Sequence, residues 1–146
     1  MPPPPVVKNA LTATRFELTI EGHSLASFSE LEGITSTVDV ATTSSGSGGA
    51  PQHIPGRADA PAVVLKRRLT RNIELAAWHE LVILGDVAAA RKSCALTMFD
   101  AAGAAVARWH LAEAWPQKVE VLAGEGSGIL TESVTLTCDF LQRVSV

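Results

Sequence analysis

The fold is decided between Pro55 and Gly85, where the sequence reads PGRADAPAVVLKRRLTRNIELAAWHELVILG. A turn over residues 55–57 precedes an apolar-rich run, residues 62–70, that predicts a strand. The residues that follow, 72–84, have the periodicity of a helix. The rest of the chain shows no second convincing helix, so we expect strands to cover this one.

Both ends of the predicted helix are marked by residues that suit them. Asn72 is a good N-cap because its side-chain oxygen can accept from an unpaired amide of the first turn. Glu74 complements the positive end of the helix dipole, and Gly85 can take the left-handed conformation that ends a helix. The apolar face consists of Leu75, Trp78, Leu81 and Val82. We expect this face to pack on a sheet.

Length and composition indicate one folded domain. The 146 residues are of single-domain length, so residues 1–146 form one unit. A domain of this size buries about 68–70% of its unfolded surface. Charged residues make up 18% of the chain, below the roughly 25% typical of soluble domains. Part of the apolar surplus is therefore free to face a partner chain.

Charge and hydropathy argue against several kinds of partner. A net charge of −3 gives no general attraction to nucleic acid or to an anionic membrane. No apolar run reaches the ~20 residues that span a bilayer. Residues 1–11 begin with MPPPP and predict an extended stub, without the charged and apolar regions of a signal peptide. We therefore expect no membrane partner, no specific nucleic acid, and assembly in the cytoplasm.

Alternation of apolar and polar residues predicts about eight strands. It is clear in the strand of Phe16, Leu18 and Ile20 and in the closing strand, where Val134 to Phe140 place every second residue inward. With short connections, this predicts a mainly β (α+β) fold: an antiparallel β-sandwich or barrel with one packed α-helix. The predicted structural core is Phe16, Leu18, Leu65, Trp78, Trp109, Trp115, Pro116 and Phe140.

Residues 42–55 differ from the flanking strands in composition, because they are rich in Gly, Ser and Thr: the segment reads TTSSGSGGAPQHIP. Loops longer than about 12 residues in a compact domain are usually functional or disordered. This one lies between two good strands, so we predict a long flexible arm that becomes ordered on assembly. A plain surface loop is the alternative.

The sequence offers no constellation for catalysis, cofactor binding or metal binding. The four histidines lie on different elements, and His79-Glu80 lacks the second histidine of a zinc-protease helix. Ser127 does not lie in a G-x-S-x-G motif. Cys94 and Cys138 sit in apolar patterns and are expected to be core thiols, with a disulfide or metal site as the lesser alternative. We expect no enzyme, no cofactor and no metal.

A basic cluster lies at the junction of the predicted strand and helix: Lys66, Arg67, Arg68 and Arg71. Arg67 shares a strand face with Val63, Leu65 and Leu69, so at least one of these charges needs a carboxylate partner. Three interpretations of this cluster remain: a solvated strand edge, an intersubunit salt bridge, or a groove that binds a polyanion. Recognition of nucleic acid is the weakest of the interpretations, because no aromatic residues are interleaved.

Several segments resemble the phage tail tube protein family, which includes the inner tube proteins of contractile injection systems. They are FELTI at 16–20, FSELEG at 28–33, PG at 55–56 before VLKR at 64–67, Trp78, WHLAEAWPQK at 109–118, and the closing strand at 130–140. The resemblance covers about residues 12–143. The sequence departs from it at Arg68, where the family usually has glycine, and in the Gly/Ser content of the arm.

The resemblance implies a β-sandwich protomer that forms hexameric rings, stacked into a hollow tube inside a sheath. Its implied partners are further copies of itself, sheath and baseplate proteins, and cargo in the lumen. A contractile injection particle is preferred over a DNA-packaging phage. The predicted subunit interface comprises Ser44, Ser45, Gly46, Ser47, Gly48 and Gly49 of the arm and the basic cluster Lys66, Arg67, Arg68 and Arg71. A tube-initiating or terminating cap protein and a β-sandwich hydrolase are the alternative functions.

Overall fold

The computed structural model describes residues 10–44 and 48–146, which form ten strands and two helices. The strands are β1 (Arg15–Ile20), β2 (His23–Phe28), β3 (Glu30–Thr35), β4 (Val38–Thr43), β5 (Gln52–Ala58), β6 (Ala62–Arg68), β7 (Lys92–Phe99), β8 (Ala105–Ala123), β9 (Leu130–Thr137) and β10 (Phe140–Val144). The helices are α1 (Glu74–Ile83) and α2 (Val87–Ala90). With 58% strand and 10% helix, the mainly β prediction is confirmed, and the strands of the described part form no closed barrel.

Eight strands form one antiparallel sheet that folds into two layers along β8. The first layer has the order β2-β1-β7-β8-β10, and the second layer has the order β8-β9-β6-β3. The long strand β8 pairs with β7 and β10 through residues 105–114 and with β9 through residues 115–123. Two facing layers that share a strand bury one common core, which is the sandwich arrangement.

Strand β8 continues through Trp115-Pro116, although proline lacks an amide donor for strand pairing. It bends just before this point, where Glu113 takes a left-handed conformation with φ of 56°. The pairing register of β8 shifts on both sides of this point, once opposite Lys92 and Cys94 and once after Pro116. Bulges of this kind bend a strand without ending it.

A single hydrophobic core lies between the layers. Its fully buried side chains include Leu18, Leu96 and Leu111 from the first layer and Val63, Leu65, Val134 and Leu136 from the second. Of the residues expected in the core, five are buried: Phe16, Leu18, Leu65, Trp78 and Pro116. Trp109 and Trp115 are half-buried.

Phe140 was predicted to face the core, and this prediction was wrong, since the residue is 60% exposed. The chain leaves β9 after Thr137 and changes layer before β10 begins. Cys138 donates its amide to Pro61 O, whereas the next amide, that of Asp139, bonds to Ala112 O in the other layer. The alternation of β9 therefore does not continue into β10.

The ends of helix α1 follow the sequence signals. The side chain of Asn72 accepts a 2.8 Å hydrogen bond from the amide of Glu74. Gly85 has a φ of 83°, and its amide and that of Asp86 bond to the carbonyls of Val82 and Leu81, which is a Schellman ending. The helix covers β8 through its buried residues Leu75 and Trp78.

A second helix, α2, follows α1, although the sequence showed no second convincing helix. It has only four residues, and the side chain of Asp86 caps it by accepting from the amide of Ala89 at 3.3 Å. The indole of Trp78 donates to the carbonyl of Ala90, so α2 is held against α1. Neither helix in the described part of the chain has the length and hydropathy to cross a membrane.

The arm contains more regular structure than we predicted. Strands β4 and β5 form a separate antiparallel hairpin, and the expected turn at Pro55-Gly56 lies inside β5. Gly56 permits this, because a Cβ there would lie 3.0 Å from the carbonyl oxygen of Asp39 on the opposite strand. Strand β3 belongs to the large sheet, whereas the following strand β4 belongs to the arm hairpin.

Candidate subunit interface

The β4–β5 hairpin stands apart from the sandwich. Among the described residues, β4 and β5 pair only with each other and not with the eight-stranded sheet. Val40 is 71% exposed and Val38 is 51% exposed. An isolated two-stranded hairpin is marginally stable in water, so this one needs a surface to pack against.

One face of the hairpin is apolar. The register places Val38 opposite Ala58 and Val40 opposite Pro55, so these four residues share a face. We call this group the arm face. The side chains of Thr42 and His53 continue the same row and are hydrogen-bonded to each other at 3.3 Å. The arm face therefore offers an apolar surface with a polar end.

The sandwich also has uncovered sheet edges. Strands β2 and β10 lie at the two edges of the first layer, and β3 lies at an edge of the second. The half of β8 in the second layer pairs only with β9 in the described part of the chain. Unpaired strand edges are templates for pairing with another chain, so several routes to association are open.

Arg67 is not available to a neighbouring subunit, and its assignment to the interface was wrong. Its side chain is 9% exposed, and its Nε donates to Glu132 Oε1 at 2.8 Å. The guanidinium also lies over the ring of Phe28, 5.5 Å from its centroid. The carboxylate that the sequence called for is Glu132, the cross-strand neighbour of Arg67 inside the protomer.

The other members of the basic cluster differ in their surroundings. Lys66 is half-buried and lies 3.9 Å from Glu32. Arg68 and Arg71 are exposed, and the described residues supply no ion-pair partner for either. Their assignment to the subunit interface stays a prediction.

The predicted interface residues of the arm fall partly within the structure. Ser44, Gly48 and Gly49 are exposed next to the ends of β4 and β5. Ser45, Gly46 and Ser47 lie outside the described residues. The role of this segment in assembly stays a prediction.

Sequence reasoning missed a second exposed apolar surface. It surrounds the end of the second layer where β8 connects to β9, and its residues, each between 37% and 51% exposed, fall on both faces of the sheet: Leu69, Val121, Leu122, Ile129 and Leu130. We call it the tip patch. Leu69 belongs to it because its amide donates to Leu130 O at 2.9 Å. The sequence signal is the consecutive pair Val121 and Leu122, since neighbouring strand residues point to opposite faces and only one can face the core.

Two cysteines and one histidine of the described residues are held inside the protomer. Burial raises the pKa of the Cys94 thiol to about 12 and also raises the pKa of Cys138, so neither is a thiolate at neutral pH. His79 Nδ1 donates to the carbonyl of Pro116 at 2.9 Å, which gives this histidine a structural place between α1 and β8. In the ranges 10–44 and 48–146, no three His, Cys, Asp or Glu side chains come together as metal ligands.

The comparison with protein families agrees with this geometry. A family model described as T4-like virus tail tube protein gp19 matches residues 12–142. The chain belongs to this tail tube family. The match confirms the resemblance seen in the sequence and spans almost the same residues. No curated protein sequence matches the chain.

Several solved structures share this fold over nearly the full length of the chain. A chain of the extracellular contractile injection system PVC sheath-tube complex in its extended state has a TM-score of 0.77 at 19% identity, with 96% of this chain and 95% of that chain covered. A chain of the anti-feeding prophage baseplate has a TM-score of 0.73 at 14% identity, with coverage of 97% and 99%. A chain of the anti-feeding prophage tube terminating cap has a TM-score of 0.72 at 17% identity, with coverage of 99% and 97%. At these identities the likeness shows the shared fold.

The two departures from the family pattern can now be located. Arg68, in place of the usual glycine, is the last residue of β6 and is exposed, so its side chain disturbs no packing in the protomer. The Gly/Ser-rich segment lies between β4 and β5 in the sequence, and its described residues Ser44, Gly48 and Gly49 are exposed.

Proposed function

We propose that this tail tube protein is a structural subunit of the inner tube of a contractile injection system or phage-tail-like particle. It assembles into rings, six copies to a ring, that stack into a hollow conduit inside a sheath. The observation that carries the proposal is the family match over residues 12–142 together with a hairpin arm that pairs only with itself in the described part of the chain. The similar fold within the PVC sheath-tube complex supports the same conclusion.

The physical chemistry of the protomer favours self-association. Four strand edges and two groups of exposed apolar side chains are available in the described part of one subunit, and both kinds of surface favour association. A head-to-tail contact satisfies such surfaces without using the same surface twice, and it closes into a ring when the rotation permits. Stacking of rings then uses whatever remains exposed at the ring faces.

The partners follow from the proposed place in the particle. Besides further copies of itself, the protein contacts sheath and baseplate proteins, because chains of the same fold occur in the PVC sheath-tube complex and in the anti-feeding prophage baseplate. Assembly takes place in the cytoplasm, and the lumen holds cargo. A role as a structural subunit requires no catalytic site, no cofactor and no specific nucleic acid.

Light scattering coupled to size-exclusion chromatography, followed by negative-stain microscopy, tests this function. We expect rings at moderate protein concentration and tubes at high concentration. A protein that stays monomeric at every concentration, in the presence and absence of sheath protein, would contradict the proposal.

A tube-initiating or terminating cap is the second candidate, favoured by the similarity to a chain of the anti-feeding prophage tube terminating cap structure. A cap forms one ring and does not elongate. Deletion of residues 44–49 separates the two functions, because a tube subunit should then stop at single rings whereas a cap should be unchanged in ring stoichiometry. Unchanged elongation of the deletion variant would show that the end of the arm is not a stacking element.

A further inference from the structure

Paired strands pass together from one layer of the sandwich to the other at one place, which we call the corner. One is β8, which bends at Glu113. The others are β9 and β10, which follow one another along β8, since Thr137 is opposite Trp115 and Phe140 is opposite Ala112. The chain also bends between β9 and β10. Both sides of the strand pair therefore change direction together, as strands do where they switch layers.

The backbone at the corner is strained. Glu113 has a φ of 56° inside a strand, whereas Glu21, which also has a positive φ, lies in a turn. A left-handed conformation is unfavourable for a residue with a side chain, and it persists only where the surrounding structure holds it. The bend of β8 therefore depends on the groups that surround Glu113.

Arg91 contacts both sides of the corner. Its Nη2 donates to both carboxylate oxygens of Asp139, at 2.7 Å each. Its Nε is buried without a hydrogen-bond partner in the described part of the chain and lies 4.0 Å from Glu113 Oε2. The amide of Asp139 in turn donates to Ala112 O at 2.9 Å. One guanidinium thus links the end of α2 to the bend of β8 and to the start of β10.

Beyond the corner, β10 is held by few contacts. It pairs with β8 alone among the described strands, and none of its five residues is fully buried. Its side chains contribute Leu141, which packs against the core, and Arg143, which lies over the ring of Trp109 at 5.2 Å from the centroid. Segments with few buried apolar contacts open locally at low free energy. An ion pair at the start of β10 should therefore affect its opening more than it affects unfolding of the sandwich.

We propose that the ion pair of Arg91 and Asp139 controls a local opening of β10. The opening exposes the edge of β8 at residues 108–112 while the rest of the sandwich stays folded. The two side chains are 35% and 56% exposed, so salt screens their attraction. Ionic strength therefore sets how often this edge of β8 becomes available for pairing with another strand. The opening belongs to the single subunit and does not depend on assembly.

Hydrogen–deuterium exchange followed by mass spectrometry tests the proposal on the full chain, as dilute single subunits verified by light scattering. We expect Arg91→Met and Asp139→Asn each to accelerate exchange in residues 140–144 about fivefold, the upper end of what partly exposed ion pairs contribute. Exchange in residues 130–137 should be unchanged. The double variant should exchange no faster than either single variant, because both substitutions remove the same interaction.

The matched control is Glu120→Gln, which removes the exposed 2.8 Å ion pair with Lys118 on the other half of β8. It should leave exchange in β10 unchanged. Equal acceleration in β9 and β10, additive effects of the two corner substitutions, or an acceleration by the control as large as theirs would overturn the inference.

Salt gives a readout that does not depend on how the corner tolerates substitution. Raising NaCl from roughly 0.05 M to 0.5 M should accelerate exchange of β10 in the unmodified protein, because the Debye length falls to roughly 4 Å. The same change should have little effect on β10 in Arg91→Met. An equal response of the two proteins to salt, or no response in the unmodified protein, would overturn the inference.

Discussion

At the scale of single residues, we expect the buried ion pair of Arg67 and Glu132 to tolerate substitution least. The two side chains are 9% and 5% exposed and joined at 2.8 Å, on paired positions of β6 and β9. One guanidinium nitrogen, Nη2, is buried without a hydrogen-bond partner among the described residues. Removing charges from water is costly, so such a pair is poor evidence for stability even when its geometry is good.

Removing one partner of this pair should lower the free energy of unfolding far more than replacing both partners with apolar residues. Glu132→Ala leaves an uncompensated buried guanidinium, and we expect a loss of about 3–5 kcal/mol in the free energy of unfolding. Arg67→Met combined with Glu132→Leu should be neutral or stabilising by about 1–4 kcal/mol. Urea denaturation of the monomer measures both. Glu120→Ala is the control, since it removes the exposed contact of Lys118 and Glu120, 2.8 Å long, and should have little effect. A double variant less stable than the single one would contradict this account.

The thiol of Cys94 should be inert in the folded protein. Burial raises its pKa from an ordinary value of 9.0 to about 12, so the folded state holds this proton more tightly than the unfolded state does. The associated stability is fully present below pH 9 and is lost as the pH rises towards 12. We expect alkylation at pH 8 to be at least tenfold slower than in denaturant. The Cys94→Ala variant should show a shallower fall in the free energy of unfolding above pH 9, and equal slopes would contradict the assignment.

At the scale of elements, helix α1 is attached to the sandwich by Trp78. The ring is 4% exposed, and its indole nitrogen donates to the carbonyl of Ala90 on α2. One side chain therefore holds α1 to α2 and helps to cover β8.

Truncation of this side chain should be costly. We expect Trp78→Ala to lower the free energy of unfolding by about 3–5 kcal/mol, because it opens a cavity under the helix. Trp78→Phe keeps most of the packing and removes the indole donor, so about 1 kcal/mol should be lost. Thermal or urea unfolding followed by circular dichroism measures both. A loss well below 1 kcal/mol for the alanine variant would show that the helix is held by other contacts.

At the scale of the whole molecule, two neighbouring arginines should behave in opposite ways. Arg68→Glu changes an exposed charge, so we expect a normally folded monomer that fails to assemble. Arg67→Glu places a second carboxylate beside Glu132 in the core, so the monomer itself should be unstable or insoluble. Circular dichroism for folding and light scattering for assembly distinguish these outcomes. Normal assembly of the Arg68 variant would remove this residue from the interface.

Much of the local structure could be predicted because its causes lie close together in the chain. The ends of α1 depend on Asn72 and Gly85, each within two residues of the backbone groups or helix end that it serves. The strand class follows from alternation within short runs, such as that of Phe16, Leu18 and Ile20. The ordered series of family segments from 16 to 140 likewise required only the linear sequence.

The sequence by itself thus determined the class of fold, the helix with its ends, and the tail tube family. Only the tertiary structure decided that Arg67 is internal and Phe140 is external, that β8 runs unbroken through both layers, and that the arm is a hairpin. The reason is distance along the chain. The partner of Arg67 lies 65 residues away, and Phe140 pairs with Ala112 of another layer. Such pairings depend on how whole strands are arranged, which no short run of residues encodes.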